Sequence, residues 1–189
     1  GVMTTDPKLC PDARVIRKLS FDEAEELAHF GAKVLHPATL APAKRENIPV
    51  YVLNSRRPDG EGTEIAGRAR SGNAISAISA KRKAAVVEIE SREGIDSSFL
   101  HAVYAAFDKH CCAVDIMATS LGRMSLVVGS TGTLAAIAAE LQDVAKVRWE
   151  NHKGLVCLVG ENIRRHPDVA SQAFGALSDL DVRVVCQGA

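Results

Sequence analysis

One pattern recurs at a fixed distance along the chain and restricts the fold more than any other feature. The run Val86-Val87 to Ser91 matches Leu155-Val156 to Gly160, and Ala113 to Ser120 matches Val182 to Ala189; the offset is 69 residues in both cases. A constant offset over two apolar runs with a helical stretch between them marks a duplicated unit. The first copy reads completely. Val86–Glu90 is a strand, and a helix from about Ser98 carries Phe99, Val103 and Phe107 on one face, with Leu100 and Ala106 beside them. Strands follow at Ala113–Thr119 and Arg123–Val128, joined by a turn at Leu121-Gly122. Ser130-Thr131-Gly132 then opens a helix with Leu134, Ile137, Ala138 and Leu141 on one face, and Val144–Trp149 is the last strand.

The order β-α-β-β-α-β is the split arrangement of α+β ferredoxin-like units. The second copy stops after its second strand, Val182–Cys186. Ala74-Ile75-Ser76-Ala77-Ile78-Ser79 alternates apolar with small polar residues and precedes the first copy, so it can supply the second copy's missing strand. An exposed sheet edge is the expected consequence of the shortened copy.

Before residue 68 the pattern differs. Ser20 and Glu23 fit the S-x-x-E capping box, and Phe21, Ala24, Leu27 and Ala28 follow at helical spacing. Gly31 stands at the stop position, and Lys33 leaves the helix end at a fixed point on a tight turn. A second short helix spans Ala38–Arg45, with Pro37 and Pro42 limiting where it starts. Ile48-Pro49-Val50-Tyr51-Val52-Leu53 reads as a buried strand and Ser55–Gly62 as a loop. Alternating helices and strands indicate α/β architecture, in a stretch too short to close a doubly wound sheet alone. Ala66–Asn73 is small, polar and linker-like.

Charge and cysteine content exclude several classes of function. With 23 basic and 23 acidic residues the formal net charge is zero, and no basic patch suits a nucleic acid or an anionic membrane. No run of about 18 apolar residues suggests a membrane span, and the first residues lack the charged start and apolar core of a signal peptide. Five cysteines without regular spacing indicate reduced thiols and a cytoplasmic setting. Cys157 and Cys186 fall inside apolar runs and read as small core residues. His110-Cys111-Cys112 reads as adjacent strand residues that splay apart, so no metal ligand set is assigned.

Two motifs carry a family resemblance. Phe30-Gly31-Ala32-Lys33-Val34-Leu35-His36-Pro37 resembles a run near the end of the catalytic domain of aspartate kinases, and Gly1-Val2-Met3-Thr4-Thr5-Asp6-Pro7-Lys8 resembles that family's G-I-Y-T-T-D-P-R. The spacing between them fits without a gap. The tandem ferredoxin-like units after them are similar to the ACT domains of the same family, in which one unit is inserted within the other. The resemblance thus implies an α/β remnant of the amino-acid kinase domain at 1–68. A linker and the first strand of the second ACT unit follow at 69–83, the first ACT domain at 84–150, and a truncated second one at 151–189.

What the resemblance implies about function follows residue by residue. Aspartate kinases move the γ-phosphoryl of ATP, carried with Mg2+, onto the β-carboxylate of aspartate. The family's K-F-G-G-T-S motif and catalytic lysine have no counterpart here, so catalytic residues are expected elsewhere and this chain alone is expected to be inactive. Nucleotide contacts are implied at Met3, Asp6, Lys8, Lys33 and Val34. Met3 stands where the family has Tyr, and Lys8 where it has Arg, which keeps charge but loses the bidentate fork.

Cys112–Ser120 resembles the I-S-V-D-L-I-T-T-S run of the lysine-sensitive type. An effector site is therefore implied at Val114, Asp115, Thr119 and Ser120, with Phe99 and Leu100 on the facing helix. Chemically, a carboxylate such as Asp115 can pair with an ammonium while amides and a hydroxyl hold a carboxylate; read without the resemblance, Asp115 caps a turn and Phe99 is core. Glu93 and Asp96 stand where lysine-sensitive relatives tend to have Met and Ser. They favour a basic effector or signal altered specificity, with lysine placed before threonine. A homodimer through the ACT domains is implied. Alternatives are a purely amino-acid-sensing module and a bifunctional parent with a second enzyme fused to the kinase.

Overall fold

The computed structural model describes residues 1–31, 35–57, 59–67, 74–129, 131–161 and 163–187. The chain divides into two compact units, Gly1–Lys81 with Val156–Asp179, and Arg82–Leu155 with Leu180–Ala189.

In the first unit, β1 (Lys18–Ser20) runs directly into α1 (Phe21–His29), followed by α2 (Pro37–Arg45), β2 (Val50–Val52) and β3 (Thr63–Ala66). The sheet order is β1-β3-β2, with β1 parallel and β2 antiparallel to β3. The capping box forms as its spacing predicts: Ser20 accepts from the Glu23 amide and the Glu23 side chain reaches back to Ser20. The apolar stripe Phe21, Ala24 and Leu27 packs with Val2, Leu19, Leu40, Ile65, Ala77 and Val159.

Several expectations fail here. β1 and β3, of three and four residues, carry too few residues for a legible alternation. β2 is not a buried strand. It is shorter than the apolar run, lies at the sheet edge, and leaves Tyr51 63% exposed, with Ile48 and Leu53 also outside. α2 runs through Pro42, which sits inside it, while Pro37 occupies the first turn and His36 caps the end through Nδ1, accepting from the Ala38 amide at 3.2 Å.

The second unit is built on β4 (Ala77–Ser91), α3 (Ser97–Lys109), β5 (Val114–Ser120), β6 (Arg123–Val128), α4 (Leu134–Glu140) and β7 (Ala145–Val159). The order β5-β6-β4-β7, antiparallel where β6 meets β4 and β5, is ferredoxin-like. Ala85, Val87 and Ile89 of β4 face Phe99, Val103, Ala106 and Phe107 of α3, Leu134 and Ile137 of α4, and Leu141 just after it. Ala84, Val86 and Val127 turn to the other side, where Ile116, Leu155 and Val184 pack. Ala77–Ser79, the second half of the run read from sequence at Ala74–Ser79, and the strand read at Val86–Glu90 belong to one 15-residue strand, β4, that begins in the first unit and ends in the second. β7 likewise passes from the second unit into the first, and a 3-10 turn (Ile163–Arg165) and α5 (Pro167–Ala176) follow it. Among the described residues no helix is long and apolar enough to cross a membrane.

Val182–Cys186 is not a strand. The run joins no sheet ladder, and without one its alternation has nothing to bind; Val182 and Val185 are exposed, and Val184 packs with Ala84, Val86 and Val127. Cys186 is accordingly exposed and not a core residue. His110-Cys111-Cys112 is not strand either. It closes α3: the Cys112 amide donates to Phe107 O at 2.9 Å and the Cys111 amide to Asp108 O at 2.8 Å, with Cys111 left-handed at φ 49°. That motif turns Cys112 into the core and Cys111 to solvent. α2 ends the same way, with Asn47 at φ 52° and the Ile48 amide on Ala43 O at 2.8 Å.

Two outcomes follow. Cys111→Gly removes the steric cost of a left-handed β-carbon, part of it offset by glycine's unfolded-state entropy. It should raise stability by roughly 0.5–1 kcal/mol, read as a higher urea midpoint at unchanged slope. With a colorimetric thiol reagent at about pH 8, exposed Cys10, Cys111 and Cys186 should react before Cys112 and Cys157. Burial, aided by the Glu26 carboxylate, pushes the Cys157 thiol up to about 11.

Candidate functional site

The N-terminal segment forms a loop closed at its base. Met3 faces Val15 in an antiparallel bridge, the Thr4 amide donates to Arg14 O and the Ile16 amide to Val2 O, both at 2.8 Å. Thr63, 1% exposed, locks that base: its hydroxyl accepts from the Val2 amide at 2.7 Å and donates to Ile16 O at 2.6 Å. At the tip, Asp6 Oδ1 accepts from the Lys8 amide at 2.9 Å, and Asp6 O accepts from the amides of Leu9 and Cys10. Met3 is half-buried, and Asp6 and Lys8 are exposed. Met3, Asp6 and Lys8 therefore share one loop, with Asp6 shaping it. Lys33 and Val34 lie outside the described residues. Gly31 before them has φ 114°, a conformation that excludes most side chains.

α1, which leads into that run, is held by a buried carboxylate. Glu23 is 2% exposed. Its Oε2 accepts from the Ser20 amide at 2.8 Å and Ser20 Oγ at 3.1 Å; its Oε1 accepts from Ser76 Oγ at 2.6 Å and the Glu161 amide at 3.1 Å. Sequence reasoning assigned Glu23 to the capping box alone. Thr63, Ser76 and Glu161 gave no sequence signal, since their partners lie 53 to 138 residues away from Glu23 or 47 and 61 from Thr63.

The second candidate region lies where α3 faces β5. Phe99 is core, 6% exposed, and Leu100 packs at the core's edge. Asp96 is the N-cap of α3, its Oδ1 accepting from the Phe99 amide at 2.7 Å. Glu93 is exposed on a tight loop in which Ser91 Oγ accepts from the Gly94 amide at 3.0 Å and donates to Gly94 O. Asp115 is the extra residue of a β-bulge, since Val114 pairs with Val128 and Ile116 with Val127. The bulge changes the side-chain parity of β5. Val114 packs into the core under α3, yet Ile116 packs on the opposite face. Met117 returns to the α3 side, where its sulfur accepts from the Tyr104 hydroxyl at 3.0 Å. Thr119 and Ser120 are exposed at the strand end. The candidate effector residues thus divide into a core pair (Phe99, Leu100), a helix cap (Asp96) and polar groups on β5. Among the described residues no group of three or more His, Cys, Asp and Glu is placed to hold a metal ion.

Comparison with known proteins adds to this geometry. The model of the amino acid kinase family matches residues 1–54, within the unit that carries Met3, Asp6 and Lys8. Lysine-sensitive aspartokinase 3 of Escherichia coli is 33% identical over 100% of this chain, which covers 44% of that protein. The structure of E. coli aspartokinase III in complex with aspartate and ADP, an R-state, superposes with a TM-score of 0.87 at 33% identity, over 100% of this chain and 44% of the other. That of the complex with lysine and aspartate, a T-state, gives 0.83 at 34% identity, with the same coverage. The chain spans less than half the length of the relatives it matches. Residues 1–54 thus carry the amino acid kinase match, and the whole of this chain is similar to part of an aspartokinase.

Asp96 offers a direct separation of capping from charge. Asp96→Ala should cost about 1 kcal/mol of stability in urea unfolding, whereas Asp96→Asn, which keeps the acceptor, should cost a few tenths. Equal losses in both variants would mean that the carboxylate charge, not the cap, is what the helix needs.

Proposed function

We propose that this chain is the C-terminal portion of an aspartate kinase that transfers the γ-phosphoryl group of ATP to the β-carboxylate of L-aspartate, and that it carries part of the nucleotide site and an amino-acid feedback site. The observation that carries the reading is the likeness, over the whole of this chain, to part of a protein whose solved complexes hold aspartate with ADP, and lysine with aspartate. In this reading residues 1–68 are the end of the kinase domain, 69–83 a linker and first strand of the second ACT unit, 84–150 the first ACT domain and 151–189 the second.

Phosphoryl transfer depends on positioning and on cations that neutralise charge in transit. Lys8, exposed on the loop shaped by Asp6, and Lys33 supply cations towards the nucleotide phosphates, while Met3 and Val34 cover apolar surface of the nucleotide. Mg2+ arrives on the nucleotide as part of the substrate. Lysine is the favoured effector and threonine the second. Asp115 pairs with the effector ammonium, Thr119, Ser120 and main-chain amides with its carboxylate, and Val114, Phe99 and Leu100 wall the site. Glu93 and Asp96 add negative charge nearby. The functional assembly is a homodimer through the ACT units, in the cytoplasm.

Calorimetric titration of the purified chain with lysine, threonine and arginine tests the feedback site. Saturable lysine binding that disappears in Asp115→Ala is the expected outcome. A folded chain and a full-length parent that both give no heat with any of the three would refute it. The chain alone should show no aspartate-dependent ATP consumption, and turnover by these 189 residues would refute the assignment of the catalytic groups to other sequence.

A further inference from the structure

α1 precedes the Gly31–Pro37 run, and the first unit grips it at both ends through one strand. At its start, Ser76 Oγ donates to the Glu23 carboxylate at 2.6 Å. At its end, Ser79 Oγ donates to the carbonyl of Phe30, the C-cap residue, at 2.8 Å. Both serines are buried, 8% and 7% exposed. Ser76 immediately precedes β4 and Ser79 lies within it. The Ser76 amide donates in turn to Val159 O at 2.8 Å, at the last residue of β7. Two residues later the Glu161 amide closes on the same Glu23 carboxylate at 3.1 Å. Gly160 makes this convergence possible, because a β-carbon there would collide with the Ala74 carbonyl.

The head of β4 and the exit of β7 thus meet on one buried carboxylate. These are the two strands that continue through the chain into the second unit. A buried carboxylate tolerates the loss of a donor poorly, since low dielectric strengthens each bond made and penalises each one missing. The arrangement is therefore closer to two-state than elastic. Either Ser76 and Glu161 both reach Glu23, or α1 must shift or admit water. Any shift of α1 reaches Phe30, held by Ser79, and Gly31 next to it.

We propose that Glu23, Ser76 and Ser79 form a clamp that couples the amino-acid effector to the nucleotide-contact run. They are positioning residues that touch neither ligand. The proposal rests on the feedback reading given above.

The test uses the full-length parent enzyme and the variants Ser76→Ala, Ser79→Ala and Glu23→Gln, with Leu40→Val as a core control in the same unit. Four quantities are read: kcat and the KM for ATP without effector, the effector concentration giving half-inhibition, and the thermal midpoint. Ser79→Ala removes one hydroxyl and is the least demanding on folding. The expected result for both serine variants is kcat within about twofold of the parent and a half-inhibiting concentration raised at least about fivefold, the lower end of ordinary allosteric coupling. Leu40→Val should lower the midpoint and leave inhibition where it was. Serine variants that lose midpoint like Leu40→Val but keep the half-inhibiting concentration within about twofold would reduce the clamp to a structural contact and overturn the proposal. A parent that none of lysine, threonine or arginine inhibits removes the feedback reading, and the clamp falls with it.

Discussion

The carboxylate of Glu23 is the constraint on which the first unit depends. Removing an ionised carboxylate from water costs several kcal/mol unless donors replace its hydration. Here the replacements are two main-chain amides and two hydroxyls, drawn from three segments of chain. One of them, Ser20, is local and can form as soon as α1 nucleates. Ser76 and Glu161 are 53 and 138 residues distant, so the charge is satisfied only once the head of β4 and the exit of β7 have been brought to the helix. Apolar contacts of Phe21, Ala24 and Leu27 could seat α1 over a range of positions. The carboxylate selects one of them.

In the second unit local chemistry at helix ends plays the comparable part. α3 is bounded by the Asp96 cap at its start and by the Cys111-Cys112 motif at its end. Between them the stripe Phe99, Val103, Ala106 and Phe107 faces the alternating residues of β4. Lys109 and His110, at the end of the helix, reach the carboxylate of Glu140 on α4, both at 3.1 Å. The hydrogen bond from Lys109 first, and the one with His110 after it, hold the Glu140 carboxyl below its usual range, so the Lys109 ion pair is present at neutral pH and is lost as acid protonates Glu140. Two short-range motifs therefore bound the helix, and a surface ion pair ties its end to α4.

What sequence made legible followed the range of the interactions. The Ser20–Glu23 box, Gly31 at the helix stop, the Phe99–Val103–Phe107 stripe and the β-α-β-β-α-β order all arise within a few residues, and all are present. β1 and β3 are defined by pairing across 46 residues and have too little sequence of their own to signal it. At Cys111-Cys112 a helix-closing motif, not a strand, turns one cysteine in and its neighbour out. Val182–Cys186 has the composition of a strand, but composition cannot supply a ladder partner. Of the candidate site, Met3, Asp6 and Lys8 fall on one loop. Asp96 is a helix cap as well as a charge, its Oδ1 accepting from the Phe99 amide.

The bulge at Asp115 shows how one unreadable feature governs the meaning of readable ones. Strict alternation along Val114–Ser120 would put Val114, Ile116, Ala118 and Ser120 on one face, and Asp115, Met117 and Thr119 on the other. The observed packing breaks that rule between the first two: Val114 lies under α3 and Ile116 on the opposite side. Beyond the bulge, Met117 shares the α3 side with Val114, and Tyr104 meets it there. Alternation past that point carries Thr119 to the α3 side and Ser120 away from it. A ligand held from β5 would therefore meet Thr119 and Ser120 from different faces of the sheet, unless it sits at the strand end where both are exposed. The strand end exposes both residues at once.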